Sequence, residues 1–317
     1  GMAVIEGHGL RRGLGLATVL QAHGDARHLA TPDARDRQAH AEHDGVLVAV
    51  LLHLLGDRPE EIGLLEPLGE KGVLEGDAAS FVLTPRGAQV TARTAEEHSL
   101  HAFFYDAYYK AAQDSAAHAL FCERAYGLDL CQHGVADMDQ IRLAVGELAV
   151  DWATSLLDFG CGAGQITAYI AQQTGAPASG IDIAPQAIAL AQARTKLQGS
   201  GLRFYCGDIL TRRGALPSGC FDRIIAIDSF FFLSDQRAGL EALLSYLERG
   251  GRIGIFYLCP AGVAAADTPL GDALAGLQIP YQVRDLTAET LAHWRRKREA
   301  LLELKERFYA EGNAFLF

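Results

Sequence analysis

From Asp151 onward, short apolar runs alternate with amphipathic helical stretches. Ser155–Phe159, Ala178–Ile183, Leu202–Cys206, Arg223–Ile227 and Arg252–Tyr257 predict strands. A helix starting at Gln165 and helices across Pro185–Leu197 and Ser234–Leu247 lie between them. Strands separated by single helices must be joined by crossovers, so the expected unit over residues 151–317 is α/β, a doubly wound, mostly parallel sheet. A sixth strand is expected at Pro280–Val283, followed by a long helix from Ala288 to about Glu311. Only Ala314–Phe317 remains after it, so a seventh strand is missing or very short.

The first half has a different period. Val46, Val48, Val50, Leu51 and Leu54 line a helix that stops at Gly56, and Pro59-Glu60-Glu61 opens another. Gly72–Glu75 and Phe81–Gly87 then predict a two-stranded hairpin. Helix, helix, hairpin resembles a winged-helix domain, assigned to residues 1–94. Residues 95–150 form a helical cap or linker, with Phe103, Phe104, Tyr105, Tyr108 and Tyr109 in one aromatic cluster and His118, Phe121 and Tyr126 in the next. Such stripes are usually core, but this one sits directly ahead of the α/β unit, where some rings can face its pocket.

Charge narrows the partners. The 317 residues carry a formal net charge of −11, which repels a phosphate backbone. The segment 57–77 has Arg58 and Lys71 against Asp57, Glu60, Glu61, Glu66, Glu70, Glu75 and Asp77. A winged-helix-like domain of that polarity is expected to dimerise or to support a lid rather than to bind DNA. Cysteines at 122, 131, 161, 206, 220 and 259 form no CxxC pair, so reduced thiols, no structural metal and a cytoplasmic location are expected. The longest apolar run, Gly45–Leu55, is shorter than the roughly 20 residues of a membrane span.

The segment richest in chemistry is Leu156-Leu157-Asp158-Phe159-Gly160-Cys161-Gly162-Ala163-Gly164-Gln165, a strand ending in an acid and followed by alternate glycines that open a helix. Glycines allow a tight turn and close ligand approach, and the helix start offers unpaired N–H groups. The turn alone also suits a dinucleotide. Two features favour another ligand: the third glycine is Gly164 rather than residue 165, and Asp158 would attract an ammonium but repel a pyrophosphate. Asp182, followed by Ile183, lies about 20 residues beyond, where an acid accepts ribose hydroxyls. After the third strand, Asp208 can bond an adenine amine while Ile209 packs on the ring; the plainer reading of Asp208 is a turn or helix cap. The fourth strand ends in Asp228-Ser229-Phe230-Phe231-Phe232, facing the same crevice.

Taken in order, these residues resemble class I (Rossmann-like) S-adenosylmethionine-dependent methyltransferases over Leu156–Pro260. The Phe221-Asp222 opening of the fourth strand and the turn Glu248-Arg249-Gly250-Gly251-Arg252 belong to the same pattern. The resemblance implies S-adenosylmethionine as cofactor and S-adenosylhomocysteine as product. Asp158, Gly160, Cys161, Gly162, Gly164 and Gln165 would take the methionine part, Asp182 and Ile183 the ribose, Asp208 and Ile209 the adenine, and Asp228 and Ser229 the edge of the reacting pocket. The flanks, including Gln132-His133-Gly134-Val135-Ala136-Asp137 and Trp294-Arg295-Arg296-Lys297, resemble uncharacterised bacterial methyltransferases of small molecules.

Methyl transfer from a sulfonium is an in-line displacement that mainly needs alignment and exclusion of water. For a hydroxyl acceptor, His133 and Asp228 are the candidate bases, although a lone histidine such as His133 is more often structural. Tyr105, Tyr109, Phe231 and Phe232 are the candidate acceptor pocket, suited to a planar or cationic molecule. The expected partner is a small molecule, with a homodimer formed through the N-terminal domain. The alternatives are a cofactor-sensing transcriptional regulator and a nucleic-acid methyltransferase. The latter is opposed by the acidic charge and by Asp228-Ser229-Phe230-Phe231, which lacks the prolines of adenine-modifying enzymes.

Overall fold

The computed structural model describes residues 2–4, 16–24, 74–77, 80–83, 100–198, 201–210, 216, 221–260 and 263–317. The helices expected around Val46–Leu54 and after Pro59 lie outside the described residues. The hairpin after them is present: β3 (Leu74–Asp77) pairs antiparallel with β4 (Ser80–Leu83).

Three helices follow: α1 (Leu100–Ala112), α2 (Ala116–Tyr126) and α3 (Met138–Glu147). Their ends are fixed by local chemistry. The Ser115 side chain accepts the His118 N–H at the start of α2, and Gly127 ends that helix at φ 91°, which glycine adopts without steric cost. Asp137 and Gln140 form a reciprocal capping box at the start of α3. These two boundaries hold the segment 127–137 between α2 and α3, and that segment becomes a wall of the site.

The α/β unit then runs β5 (Leu156–Phe159), α4 (Gln165–Thr174), β6 (Ala178–Asp182), α5 (Pro185–Gln198), β7 (Arg203–Cys206), β8 (Phe221–Ala226), α6 (Gln236–Tyr246), β9 (Leu247–Pro260), α7 (Pro269–Gly276), β10 (Tyr281–Asp285) and α8 (Thr287–Ala310). With β1 (Met2–Val4) and β2 (Leu16–Gly24), the strands form one sheet in the order β1-β10-β2-β9-β8-β5-β6-β7. Only β1 runs antiparallel to its neighbours. Two strands from the first 24 residues therefore join the sheet, with β2 beside β9. After α8, Ala314–Leu316 is a single 3-10 turn and adds no strand.

Leu156, Leu157, Ile224, Ile225, Ile253 and Ile255 are completely buried, as expected for central parallel strands covered on both faces. Each such side chain contributes about 1.5–3 kcal/mol relative to exposure. A second cluster joins α1, α2 and α8 through Tyr108, Phe121, Cys122, Tyr126, Leu304 and Phe308. This cluster absorbs much of the aromatic stripe and docks the helical layer onto the α/β unit.

Candidate active site

The chain turns back on itself between β5 and β8. β6 and β7 lie to one side of β5, and β8 and β9 to the other. The carboxyl ends of β5 and β8 therefore open a crevice where ligands of such sheets bind. That crevice is lined by Tyr109, residues 130–134, Ala136, Asp158, Gly160, Cys161, residues 163–166, Ile227 and Asp228.

The glycine turn is shaped by its neighbours. Gly160, Gly162 and Gly164 have φ of 76°, 53° and 75°, a region L side chains rarely occupy. A Cβ on Gly160 would strike Ser229, one on Gly162 the Tyr109 ring and hydroxyl, and one on Gly164 the Phe204 ring. The turn is tied to the second strand: the Gly160 N–H donates to the Ile181 carbonyl at 2.8 Å, and the Gly162 N–H to Asp182 Oδ2, also at 2.8 Å. Arg194 on α5 donates to the Ala163 carbonyl at 2.6 Å.

Asp158 is 2% exposed, and its Oδ2 accepts the Thr167 hydroxyl at 2.6 Å. Burial raises its pKa to about 7, partly opposed by the Thr167 hydrogen bond. Burial also raises the pKa of Asp182, although the Ala184 and Gly162 amides pull it back. Neither acid has an ion-pair partner among the described residues. A buried and a half-buried carboxylate without a cation form a site of negative potential that a positively charged ligand would stabilise. Gln165 Oε1 is buried in the same wall without a hydrogen-bond partner, an acceptor left for a donor from outside the chain.

The remaining cofactor candidates divide. Ile183 follows β6 and Asp208 follows β7 at the same edge of the sheet. Asp208 Oδ1 accepts the Leu210 N–H at 2.9 Å, the turn-forming bond of the plainer reading. Ile209 is 2% exposed and packed in the main hydrophobic core. Cys161 lines the cleft, and burial pushes its thiol pKa well up. Ser229 donates to the Phe159 carbonyl at 2.6 Å, which binds the end of β8 to the end of β5.

Of the four rings expected to hold an acceptor, only Tyr109 lines the cleft; Tyr105 meets His133 at 5.5 Å, Phe232 at 6.2 Å and Tyr109 at 6.2 Å between ring centroids. Phe231 contacts Phe232 at 4.6 Å and turns its other edge to Tyr257. Tyr109 and Phe232 thus cluster around Tyr105, which itself meets His133, with Phe231 behind Phe232, while Tyr109 also covers the glycine turn. His133 is packed against Phe104, Tyr105 and Tyr108. Its surface is open to solvent, yet the surrounding protein depresses its pKa to about 3, and the Lys297 and His118 charges push the same way. The ring is therefore neutral near pH 7. Asp228 Oδ2 accepts the Val135 and Ala136 N–H groups at 2.6 and 2.9 Å.

Sequence reasoning overlooked Leu130, Cys131 and Gln132, which line the cleft beside His133. It also overlooked Thr167 on Asp158, Arg194 on the turn, and Asp106, which accepts the Gln186 N–H at 2.9 Å and ties α1 to the start of α5.

A strand order that reverses beside an acid-led triple-glycine turn, with a second acid holding that turn, makes a Rossmann-like α/β unit with a ligand crevice at its switch point. Residues 156–251 match the methyltransferase domain family, the part of the chain holding both acids and the glycines. Methyltransferase GfsG of Streptomyces halstedii is 31% identical over 110 residues, 34% of this chain and 39% of that protein. An uncharacterized protein of Synechococcus sp. is 34% identical over 124 residues, 39% of this chain and 30% of that one. The chain spans about a third of the length of these curated relatives. Among solved structures, the [4+2]-cyclase SpnF aligns with a TM-score of 0.45 and 18% identity over 56% of this chain and 72% of its own.

Proposed function

We propose that the protein transfers a methyl group from S-adenosylmethionine to a small-molecule acceptor, with S-adenosylhomocysteine as the second product. The observation that carries this reading is the pairing of buried Asp158 and half-buried Asp182 around a glycine turn that leaves no room for side chains. The cofactor supplies an electrophilic methyl group on a positively charged sulfur. Asp158 and Gln165 offer acceptors to its ammonium, and Asp182 offers acceptors to its ribose hydroxyls. The N-terminal turn of α4 lies against the same end.

The chain's own groups do the rest by position. Tyr105, Phe232 and His133 form an aromatic wall that orients a planar or cationic acceptor. His133 lines the cleft, but an imidazole with its pKa lowered this far is a weak base, so alignment of the acceptor carries more of the reaction than proton removal. DNA and RNA acceptors are disfavoured by the net charge of −11. No helix among the described residues is long and apolar enough to cross a membrane. Dimerisation through the N-terminal part and a cytoplasmic location remain part of this proposal.

The test is thermal denaturation with added ligand. S-adenosylhomocysteine should raise the melting temperature and NAD should not; a shift with NAD alone would overturn the assignment. Incubation with S-adenosylmethionine and a panel of small amines, phenols and acids, read as S-adenosylhomocysteine release, then identifies the acceptor class.

A further inference from the structure

Asp228 has features that a free base would not need. It is a non-glycine residue with φ of 52°, in the left-handed region that L side chains seldom occupy. Its Oδ2 takes two successive backbone donors, Val135 N–H and Ala136 N–H. The preceding residue, Gly134, is held from the helical side. The Tyr126 hydroxyl donates to the Gly134 carbonyl and accepts its N–H, and Lys297 Nζ donates to the same carbonyl at 2.8 Å. Side chains from α2, α8 and the end of β8 therefore hold three consecutive amides. The held segment carries His133 and forms the wall of the cleft facing the glycine turn.

The approach is close enough to dictate sequence. A Cβ at Gly134 would lie 2.5 Å from Asp228 Oδ2, although the Gly134 backbone lies outside the left-handed region and would otherwise accept alanine. Asp228 and Gly134 thus form a matched pair: the carboxylate sets the segment, and the missing side chain lets it do so.

We infer that Asp228 is a positioning residue whose carboxylate anchors the segment 133–136 to the sheet, fixing His133 and the wall of the cofactor cleft, rather than the base of the reaction. The inference rests on the reading of this cleft as the cofactor site, but its first readout needs no cofactor. Asn at 228 keeps an oxygen able to accept both amides and cannot act as a base, whereas Ala removes the acceptor.

The experiment follows the His133 Cε1 proton by NMR in ligand-free protein labelled on histidine, assigned by His133→Gln. The Tyr108 and Tyr105 rings, 4.5 and 5.5 Å away, should displace its resonance. The S-adenosylhomocysteine dissociation constant is measured by calorimetry on the same samples. Asp228→Asn should keep the displaced resonance and near-normal affinity. Asp228→Ala should move it towards the unstructured position and weaken binding about tenfold. Gly134→Ala should reproduce Asp228→Ala, and combining the two should cost less than their sum because the clash disappears. This variant keeps the test decisive if Asp228→Ala does not fold. An unmoved His133 resonance in Asp228→Ala and Gly134→Ala would overturn the inference. So would equal loss of affinity in Asp228→Asn and Asp228→Ala with that resonance unchanged. Failure of the unsubstituted protein to bind S-adenosylhomocysteine would instead count against the cofactor reading, leaving the NMR result to stand alone.

Discussion

The Gly162 N–H donates to Asp182 Oδ2 across 20 residues of sequence, so the glycine turn after the first strand of the α/β unit and the acid after the second form one rigid corner. Asp182 also receives the Ala184 N–H on its other oxygen. It shapes the turn before any ligand arrives.

Asp182→Ala should therefore do two things. Ligand-free stability should fall by roughly 1–3 kcal/mol, since two buried amides lose their acceptor. The thermal shift with S-adenosylhomocysteine should largely vanish. Denaturant unfolding and melting curves with ligand measure both; an unchanged ligand shift would remove Asp182 from the site.

Gly162→Ala tests the turn itself. The added methyl group meets the Tyr109 ring, and the left-handed backbone costs roughly 1–2 kcal/mol for an L side chain. Truncating Tyr109 to Ala in the same protein removes the collision but not the backbone cost. S-adenosylhomocysteine affinity should drop more than tenfold in the single variant and recover only in part in the double one, by calorimetry.

Asp158 gives binding a pH dependence. Its pKa is raised to about 7 by burial, so below pH 7 the unliganded site holds a proton that must leave before the carboxylate can pair with an ammonium. Affinity for S-adenosylhomocysteine should strengthen between pH 6 and 8. Thr167→Ala removes the hydrogen bond that lowers this pKa, so the midpoint should move upward. A profile flat across that range would contradict the ion pair.

Two buried histidines should weaken the fold in acid. Burial depresses His118 to about 4 and His293 to about 3. Unfolded histidine titrates near 6.5, so below that pH the unfolded chain binds more protons than the fold. Stability from these groups is intact above pH 6.5 and is lost as pH falls towards their folded values. Melting temperature should decline from pH 7 to 5. His293→Gln, which retains a donor for the Ala125 carbonyl that His293 bonds at 3.0 Å, should flatten that decline.

Much of the α/β unit was legible because its signals are local. The strands at Leu156, Ala178 and Arg203 begin within a residue of where the apolar runs place them. The ninth strand is longer than expected, since pairing begins at Leu247, ahead of the glycine turn, where no apolar run announces it. The incorporation of Leu16–Gly24 into the sheet was not legible at all. A strand added beside β9 is chosen by which edge is free, and no residue in the strand itself records that.

The candidate site divides along the same line. The sequence by itself determined the corner of Asp158, the three glycines and Asp182, because backbone conformation and strand ends are written in neighbouring residues. Only the tertiary structure decided that Tyr109 covers Gly162, that Thr167 and Arg194 brace the turn, and that Asp228 holds the segment carrying His133. These contacts join residues 9 to 93 positions apart. The Thr167 and Arg194 contacts need α4 and α5 packed on the sheet, and the Tyr109 and Asp228 contacts need the helical layer docked as well; docking is fixed by shape and burial over the whole interface rather than by any local pattern.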